Sequence, residues 1–150
     1  MAAEPTDTIG TYLFMLDIGG KEAAGYFREC TGLTSEHTVV EDKAADATGR
    51  TIVRKIPGQM TWSNITLKRG IDTDMQLWNW RKDIIDGKIN ESRMDCTITA
   101  YDWQMEAVLS FSVKRAWPCR YGAPGLNAGG NEVLVEEIEL AHEGFERVEV

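Results

Sequence analysis

The sequence predicts a mainly β domain, a β-sandwich or partly rolled barrel with one flanking α-helix. Three observations lead there. Residues 94–100 and 107–115 alternate apolar and polar side chains with the period of two that a half-buried strand requires. A single segment, Leu77 to Ile85, repeats its apolar residues at helical spacing. Turn residues such as Gly19-Gly20, Gly70, Gly87 and Gly122 divide the chain into short pieces, which suits antiparallel strands joined by tight connections.

Taken in order, Tyr12-Leu13-Phe14-Met15-Leu16-Asp17-Ile18 is the first strand, apolar on both faces. Gly19-Gly20-Lys21 turns the chain, and Tyr26-Phe27-Arg28-Glu29-Cys30 returns beside it. Ser35 to Glu41 reads as a further strand. It runs into an exposed, mobile loop from Asp42 to Gly49, where Ala, Asp, Lys and Thr dominate. Pro57-Gly58 is turn chemistry, since Pro presets one dihedral and Gly accepts positive φ. Gln59 to Arg69 reads as one strand whose faces change character part-way, and Gly70 ends it.

The helix is signalled at both ends. Thr73 as N-cap with Gln76 three residues later has the form of a capping box, and Asp72 and Asp74 suit the positive end of the dipole. Leu77, Trp78, Arg81, Ile84 and Ile85 make the expected core stripe, with Trp80 on its flank, and Gly87 stands where a left-handed C-cap is expected. In the next strand Met94, Cys96, Ile98 and Ala100 face in, and Asp95, Thr97 and Thr99 face out. Asp102 to Glu106 joins it as a hairpin to Ala107–Arg115, where Ala107, Leu109, Phe111 and Val113 alternate with Ser110, Ser112 and Lys114. Trp117-Pro118 is expected to break the ladder, Gly122 to Asn131 to form a long loop, and Val133 to Leu140 to be the last strand.

Size and charge narrow the function. The 150 residues, 16.8 kDa, fit a single domain over 1–150, with residues 1–10 as a flexible N-terminal segment. Sixteen Lys and Arg against 24 Asp and Glu give a net charge of -8, whose average field repels phosphate and argues against specific nucleic-acid binding. The longest N-terminal apolar run, Tyr12 to Leu16, falls far short of the roughly 18–20 residues that span a bilayer, so no membrane insertion is expected. Residues 1–20 hold no basic residue and so no signal-peptide n-region, which predicts synthesis and folding in the cytoplasm. Cys30, Cys96 and Cys119 read as reduced, mostly buried thiols.

Catalytic patterns fail one after another. Gly20-Lys21 lacks the upstream glycine and the following Ser or Thr of a phosphate-cradling loop, and no Gly-x-Ser-x-Gly elbow is present. His37 and His142 stand far apart with no Cys or His at metal-ligand spacing. His142 beside Glu143 reads as a polar strand end rather than an acid–base pair. Neither an enzyme nor a cofactor is expected.

The remaining signals are surfaces. Of five tryptophans, Trp78 reads as a core anchor, whereas Trp103 lies in a turn and reads equally as an interface anchor. Seven glutamates crowd the last nineteen residues, with Arg147 their only basic neighbour. They read as a solvated face, or as an acidic surface that meets Lys68 and Arg69 of another copy.

Over roughly residues 12–145 the order of short motifs resembles the tail tube proteins of contractile phages and of phage-derived contractile injection systems. The matching residues are Phe27 with Thr31-Gly32-Leu33, Arg54-Lys55-Ile56-Pro57-Gly58, Ile65-Thr66-Leu67-Lys68-Arg69-Gly70 and Leu77-Trp78-Asn79-Trp80. Ala116-Trp117-Pro118, Tyr121, Leu126-Asn127-Ala128, and Glu132-Val133 through Glu139-Leu140-Ala141-His142-Glu143-Gly144 complete the series.

The resemblance implies a structural protein that closes into a hexameric ring with its neighbours. Rings stack into an inner tube with a hollow lumen for effector or DNA, driven through a target envelope by a contracting sheath anchored on a baseplate. It places the chain in a phage virion or an injection particle, released or cell-retained. The candidate inter-subunit contacts are Asp42, Lys43, Asp46, Lys68, Arg69, Trp103, Glu136 and Glu139. Asp42-Lys43-Ala44-Ala45-Asp46 departs from the family, whose members often carry a Tyr and an Arg-Glu-Gly-Gly-like turn there. Pro57-Gly58 and Lys68-Arg69-Gly70 are read as structural turns. The alternatives are a paralogous tube-initiator ring of the same fold at the baseplate and a free β-sandwich binding module.

Overall fold

The longest strand, β8 (Ala107–Gly122), organises the sheet. The computed structural model describes residues 10, 13–22, 26–71, 73–125, 128–129 and 134–150. Among them the other strands are β1 (Leu13–Ile18), β2 (Lys21–Glu22), β3 (Glu29–Thr31), β4 (Ser35–Ala45), β5 (Thr51–Trp62), β6 (Ile65–Gly70), β7 (Met94–Tyr101), β9 (Val135–Ala141) and β10 (Phe145–Val148). Two helices, α1 (Gln76–Ile85) and α2 (Ile89–Ser92), stand between β6 and β7. Expectations resting on Tyr12, Asp72, Leu126-Asn127, Glu132-Val133 and the N-terminal segment before Gly10 lie outside the described residues.

All pairings are antiparallel, in the order β2-β1-β7-β8-β9-β6-β3. The first half of β8 pairs with β7 on one edge and β10 on the other; its second half pairs with β9. The ladder break expected at Trp117-Pro118 is therefore a change of partner, because β7 stops at Ala116 and β9 starts at Trp117. Beside it Arg115 takes φ +48, and its N–H donates to Asp95 Oδ1 at 3.0 Å, which bends β8 where it passes from one partner to the next. Phe27, just before β3, exchanges both backbone hydrogen bonds with Phe14 of β1, at 3.0 and 2.7 Å. That bridge rolls the sheet shut into a barrel.

Period two fills the interior. Leu16 and Ile18 of β1, Ile65 and Leu67 of β6, Cys96 and Ile98 of β7, and Ile138 and Leu140 of β9 are buried. α1 supplies Leu77 and Trp80 to the same core, and the Trp80 Nε1–H donates to the Ser92 carbonyl at 2.7 Å. The expected stripe is corrected here: Trp80 is 6% exposed and Trp78 36%, so the face built on Leu77, Trp80 and Ile84 turns inward. The N-cap is Met75 rather than Thr73, and the Gln76 N–H points at Asp74 Oδ1, 3.4 Å away. At the other end Gly87 (φ +89) sends its N–H to Ile84 O while Lys88 reaches Asp83 O, the Schellman arrangement expected of a glycine there.

Of the segment expected as a loop from Asp42 to Gly49, Asp42 to Ala45 is strand and only the remainder turns. β4 continues to Ala45 and pairs with β5 from Ser35↔Trp62 to Ala45↔Thr51, a two-stranded arm separate from the barrel. Its tip is built on Asp46, whose Oδ1 accepts from Thr48 N (2.9 Å), Thr48 Oγ1 (2.6 Å) and Arg50 N (2.9 Å). Pro57-Gly58 is no turn but lies inside β5 at a bulge, where Gly58 and Gln59 oppose the single Thr38 and a proline is tolerated. Thr38 Oγ1 there accepts from Gln59 N, and a Cβ on Gly58 would meet that hydroxyl at 2.3 Å. Gln59 to Arg69 is two strands, parted at Ser63-Asn64, and Lys68-Arg69-Gly70 is the end of β6 rather than a turn. A further strand, β10, follows the one expected to be last.

Candidate assembly surfaces

Three surfaces stand out, and a fourth, the expected acidic one, is partly buried. The first is the outer face of the β1, β7, β8 and β10 sheet. Asp17, Thr97, Ser112 and Glu146 are opposed in one register row, and Met15, Thr99, Ser110 and Val148 in the next. Opposed residues of an antiparallel ladder share a face, so four strands present a mainly polar exterior, with Thr97/Thr99 and Ser110/Ser112 outward as their alternation with apolar neighbours predicts. Lys114 and Asp95 approach to 3.9 Å at its margin.

The second is the arm. Val39, Val40, Ile52, Val53, Ile56 and Met60 are all exposed on it. Asp42 faces Arg54, and Lys43 faces Val53. Trp62 at its root packs on Phe145 (5.0 Å between ring centres) and His142 (6.1 Å). A two-stranded ribbon with exposed apolar residues and unshared edges is marginal alone.

The third is the β7–β8 turn. Asp102 Oδ1 accepts from Gln104 N (2.9 Å) and Glu106 N (3.0 Å), Met105 takes φ +62, and Trp103 at the tip is 80% exposed.

Of the C-terminal glutamates, Glu143, Glu146 and Glu149 are exposed and Glu139 is half-buried, whereas Glu136 and Glu137 are buried. Glu136 and Arg69 are 3% and 2% exposed and pair with each other inside one chain, Nε to Oε1 at 2.5 Å. Tyr121 donates a short hydrogen bond to Glu136, Arg69 Nη2 reaches Asp74 Oδ2 at 3.3 Å, and the guanidinium lies 5.4 Å from the centre of the Phe27 ring. Burial and the Glu136 hydrogen bond push the Tyr121 hydroxyl up to about 12. Glu137, also buried, pairs with Arg120 and, at 3.8 Å, with Lys68, which is 3.9 Å from Glu29. Glu139 is half-buried beside Cys119, whose Sγ lies 3.4 Å from its carbonyl. Glu143 is exposed and 3.4 Å from Arg115. Two candidate contacts, Arg69 and Glu136, are therefore internal, because each finds its opposite charge across the β6–β9 ladder. The signal was present: Arg69 is in phase with Ile65 and Leu67, and Glu136 with Ile138 and Leu140.

The side chains offer little reactive chemistry. Burial pushes Cys30 and Cys96 up to about 12, and burial followed by the Glu139 carboxylate raises Cys119, so all three thiols are held neutral. His142 Nε2 lies 2.8 Å from the Ser63 carbonyl and is spent on the arm's root. Among the described residues no helix is long and apolar enough to cross a membrane.

A closed antiparallel barrel with an end helix and a projecting two-stranded arm is a specific architecture. The family model of the T4-like virus tail tube protein gp19 matches residues 10–146. The chain belongs to that tail tube family. The tube subunit also resembles solved structures along its full length. A chain in the cryo-EM structure of an extracellular contractile injection system, the PVC sheath–tube complex in the extended state, is 26% identical, with a TM-score of 0.75 over 95% of this chain and 93% of that one. A chain of the anti-feeding prophage cap, described as the tube-terminating cap, is 24% identical with a TM-score of 0.76 over 100% and 97%. Hcp1 from Flavobacterium johnsoniae shares the fold at 12% identity, with a TM-score of 0.57 over 91% and 94%. No curated sequence matches the chain.

Proposed function

We propose that this tail tube protein closes into a hexameric ring whose lumen is lined by the polar face of the β1, β7, β8 and β10 sheet. Rings stack into a hollow tube that carries effector or DNA. The observation that supports the lumen assignment is the pair of register rows through Thr97 and Thr99. A wet channel needs hydrogen-bonding side chains on its wall, and this face offers Thr97 and Thr99 on β7 and Ser110 and Ser112 on β8, flanked by Asp17 of β1 and Glu146 of β10. Ring closure would also pair the sheet's open edges. The chain is structural and non-catalytic on this reading.

The tube works with a sheath and a baseplate, in line with the assemblies to which its structural relatives belong. It is made in the cytoplasm and becomes part of a phage-like particle. Inter-subunit contacts are carried by the arm through Asp42, Lys43 and Asp46, by Trp103, and by the partly exposed Lys68 and Glu139. Arg69 and Glu136 hold the subunit itself.

Labelling tests the lumen. In tubes of a Thr97→Cys variant that also carries Cys119→Ser, a small maleimide should react fully, while a maleimide coupled to a folded protein too large for the bore should react only at tube ends. Equal labelling by both reagents would place Thr97 on the outer wall and overturn the assignment.

A further inference from the structure

We infer that His142 is the residue that sets the direction of the arm, by bridging the arm's root to the turn between β9 and β10. The inference concerns the single subunit and stands whether or not the chain forms tubes.

Among the described strands, β4 and β5 pair only with each other, so no ladder fixes the arm's angle on the barrel. Two side chains at the exit of β5 can. The Trp62 indole packs on Phe145 and over Gly144, where a Cβ would come within 3.1 Å of the ring. That contact is apolar and carries no direction. His142 supplies the direction: Nε2 lies 2.8 Å from the Ser63 carbonyl, and Nδ1 accepts from the Gly144 N–H at 3.1 Å.

The two partners fix the tautomer. The Gly144 N–H can only donate and the Ser63 carbonyl can only accept, so Nδ1 is bare and Nε2 carries the ring's proton. His142 thus closes its own turn with one nitrogen, in the manner of an Asx-turn, and holds the arm with the other. The turn is a firm base. Lys114 N donates to Gly144 O at 2.8 Å and Glu143 N to Lys114 O at 2.9 Å, which ties it to β8. The path from sheet to arm runs through β8, turn, imidazole and Ser63.

Leverage makes a single bond matter. At about 3.3 Å per residue, β5 reaches roughly 35 Å from Trp62 to the tip, so a swing of about 10° at the root carries the tip about 6 Å. An arm held at one angle presents Asp42, Lys43 and Asp46 in one place, which lowers the ordering cost of any contact they make.

Spin labels at Ala47→Cys on the arm's tip and Lys82→Cys on α1, in a Cys119→Ser background, read the angle in chains diluted to single subunits. With His142 present one narrow distance is expected, and His142→Ala should broaden it by about 6 Å, the travel of that swing. Two further variants separate holding the arm from closing the turn. His142→Gln places an amide N–H where Nε2 stands and should restore the narrow distance. His142→Asn can only close the turn and should stay broad. An unbroadened His142→Ala overturns the inference, and so does rescue by Asn but not by Gln, which would make His142 a turn residue alone. Should His142→Ala melt below wild type, NMR of the imidazole nitrogens in the wild-type chain decides the matter. The Nε2–H tautomer is expected, and the Nδ1–H tautomer overturns the inference.

Discussion

Arg69 and Glu136 stand directly opposite each other across the β6–β9 ladder, both buried, with Nε 2.5 Å from Oε1. The pair, with Tyr121 and Asp74, ties the ends of three strands to the start of α1. Removing one charge leaves the other buried and uncompensated. Glu136→Ala should therefore cost about 3–5 kcal/mol in denaturant unfolding of the subunit. Glu143→Ala, which breaks only the exposed pair with Arg115, should cost less than about 1 kcal/mol. Similar losses for the two would mean that the buried pair does not hold the fold.

The two helix tryptophans separate core from surface. Trp80→Ala empties a core site and loses the bond to Ser92, so it should cost about 3–5 kcal/mol. Trp78→Ala loses mainly its ring contact with Tyr121, 5.4 Å between centres, worth about 0.5–1.5 kcal/mol. Thermal melts of both variants check the order, and a reversed order would place Trp78 in the core.

Much of the barrel was legible because burial writes itself into period two. Met94 to Ala100 and Ala107 to Val113 alternate since one face of each strand is in the core. The arm was legible only at its root, where Ser35 to Glu41 read as a strand; with neither face buried, Asp42 to Ala45 has no alternation to record, and its small and charged residues read as a loop. Arg69 and Glu136 were misplaced because charge was read as exposure, although both are in phase with buried neighbours. Trp78 was taken for core because α1 is apolar on two sides, and a single helix does not say which one faces its own barrel.

Gly32 tests the close approach of two chain segments. It sits at φ +90, and a Cβ there would lie 1.9 Å from the Asn64 carbonyl oxygen, a backbone atom that cannot swing aside. Gly32→Ala should fail to give soluble folded protein. Gly49→Ala, also at positive φ but with open space around it, should lose only about 1–2 kcal/mol of backbone strain. Soluble expression and circular dichroism of both variants decide it, and a well-folded Gly32→Ala would contradict the packing of β3 on the Ser63-Asn64 connection.

Thiol titration follows from burial. Cys30 and Cys96 rise from an ordinary 9.0 to about 12 in the folded chain, so they stay protonated where the unfolded thiols ionise. Stability from these groups is intact below pH 9 and is lost as pH rises from 9 towards 12, each thiol contributing a slope of about 1.4 kcal/mol per pH unit. At pH 8 an aromatic disulfide reagent should modify Cys119 first and reach Cys30 and Cys96 only after denaturant is added. Immediate modification of all three would show an open barrel.

If this chain builds a hollow tube with its polar sheet face innermost, a cryo-EM reconstruction of the assembled protein will show it. Stacked hexameric rings around an open bore are expected, with Thr97 and Thr99 at the lumen wall and α1 away from it. A solid filament, or a bore lined by α1, would contradict it.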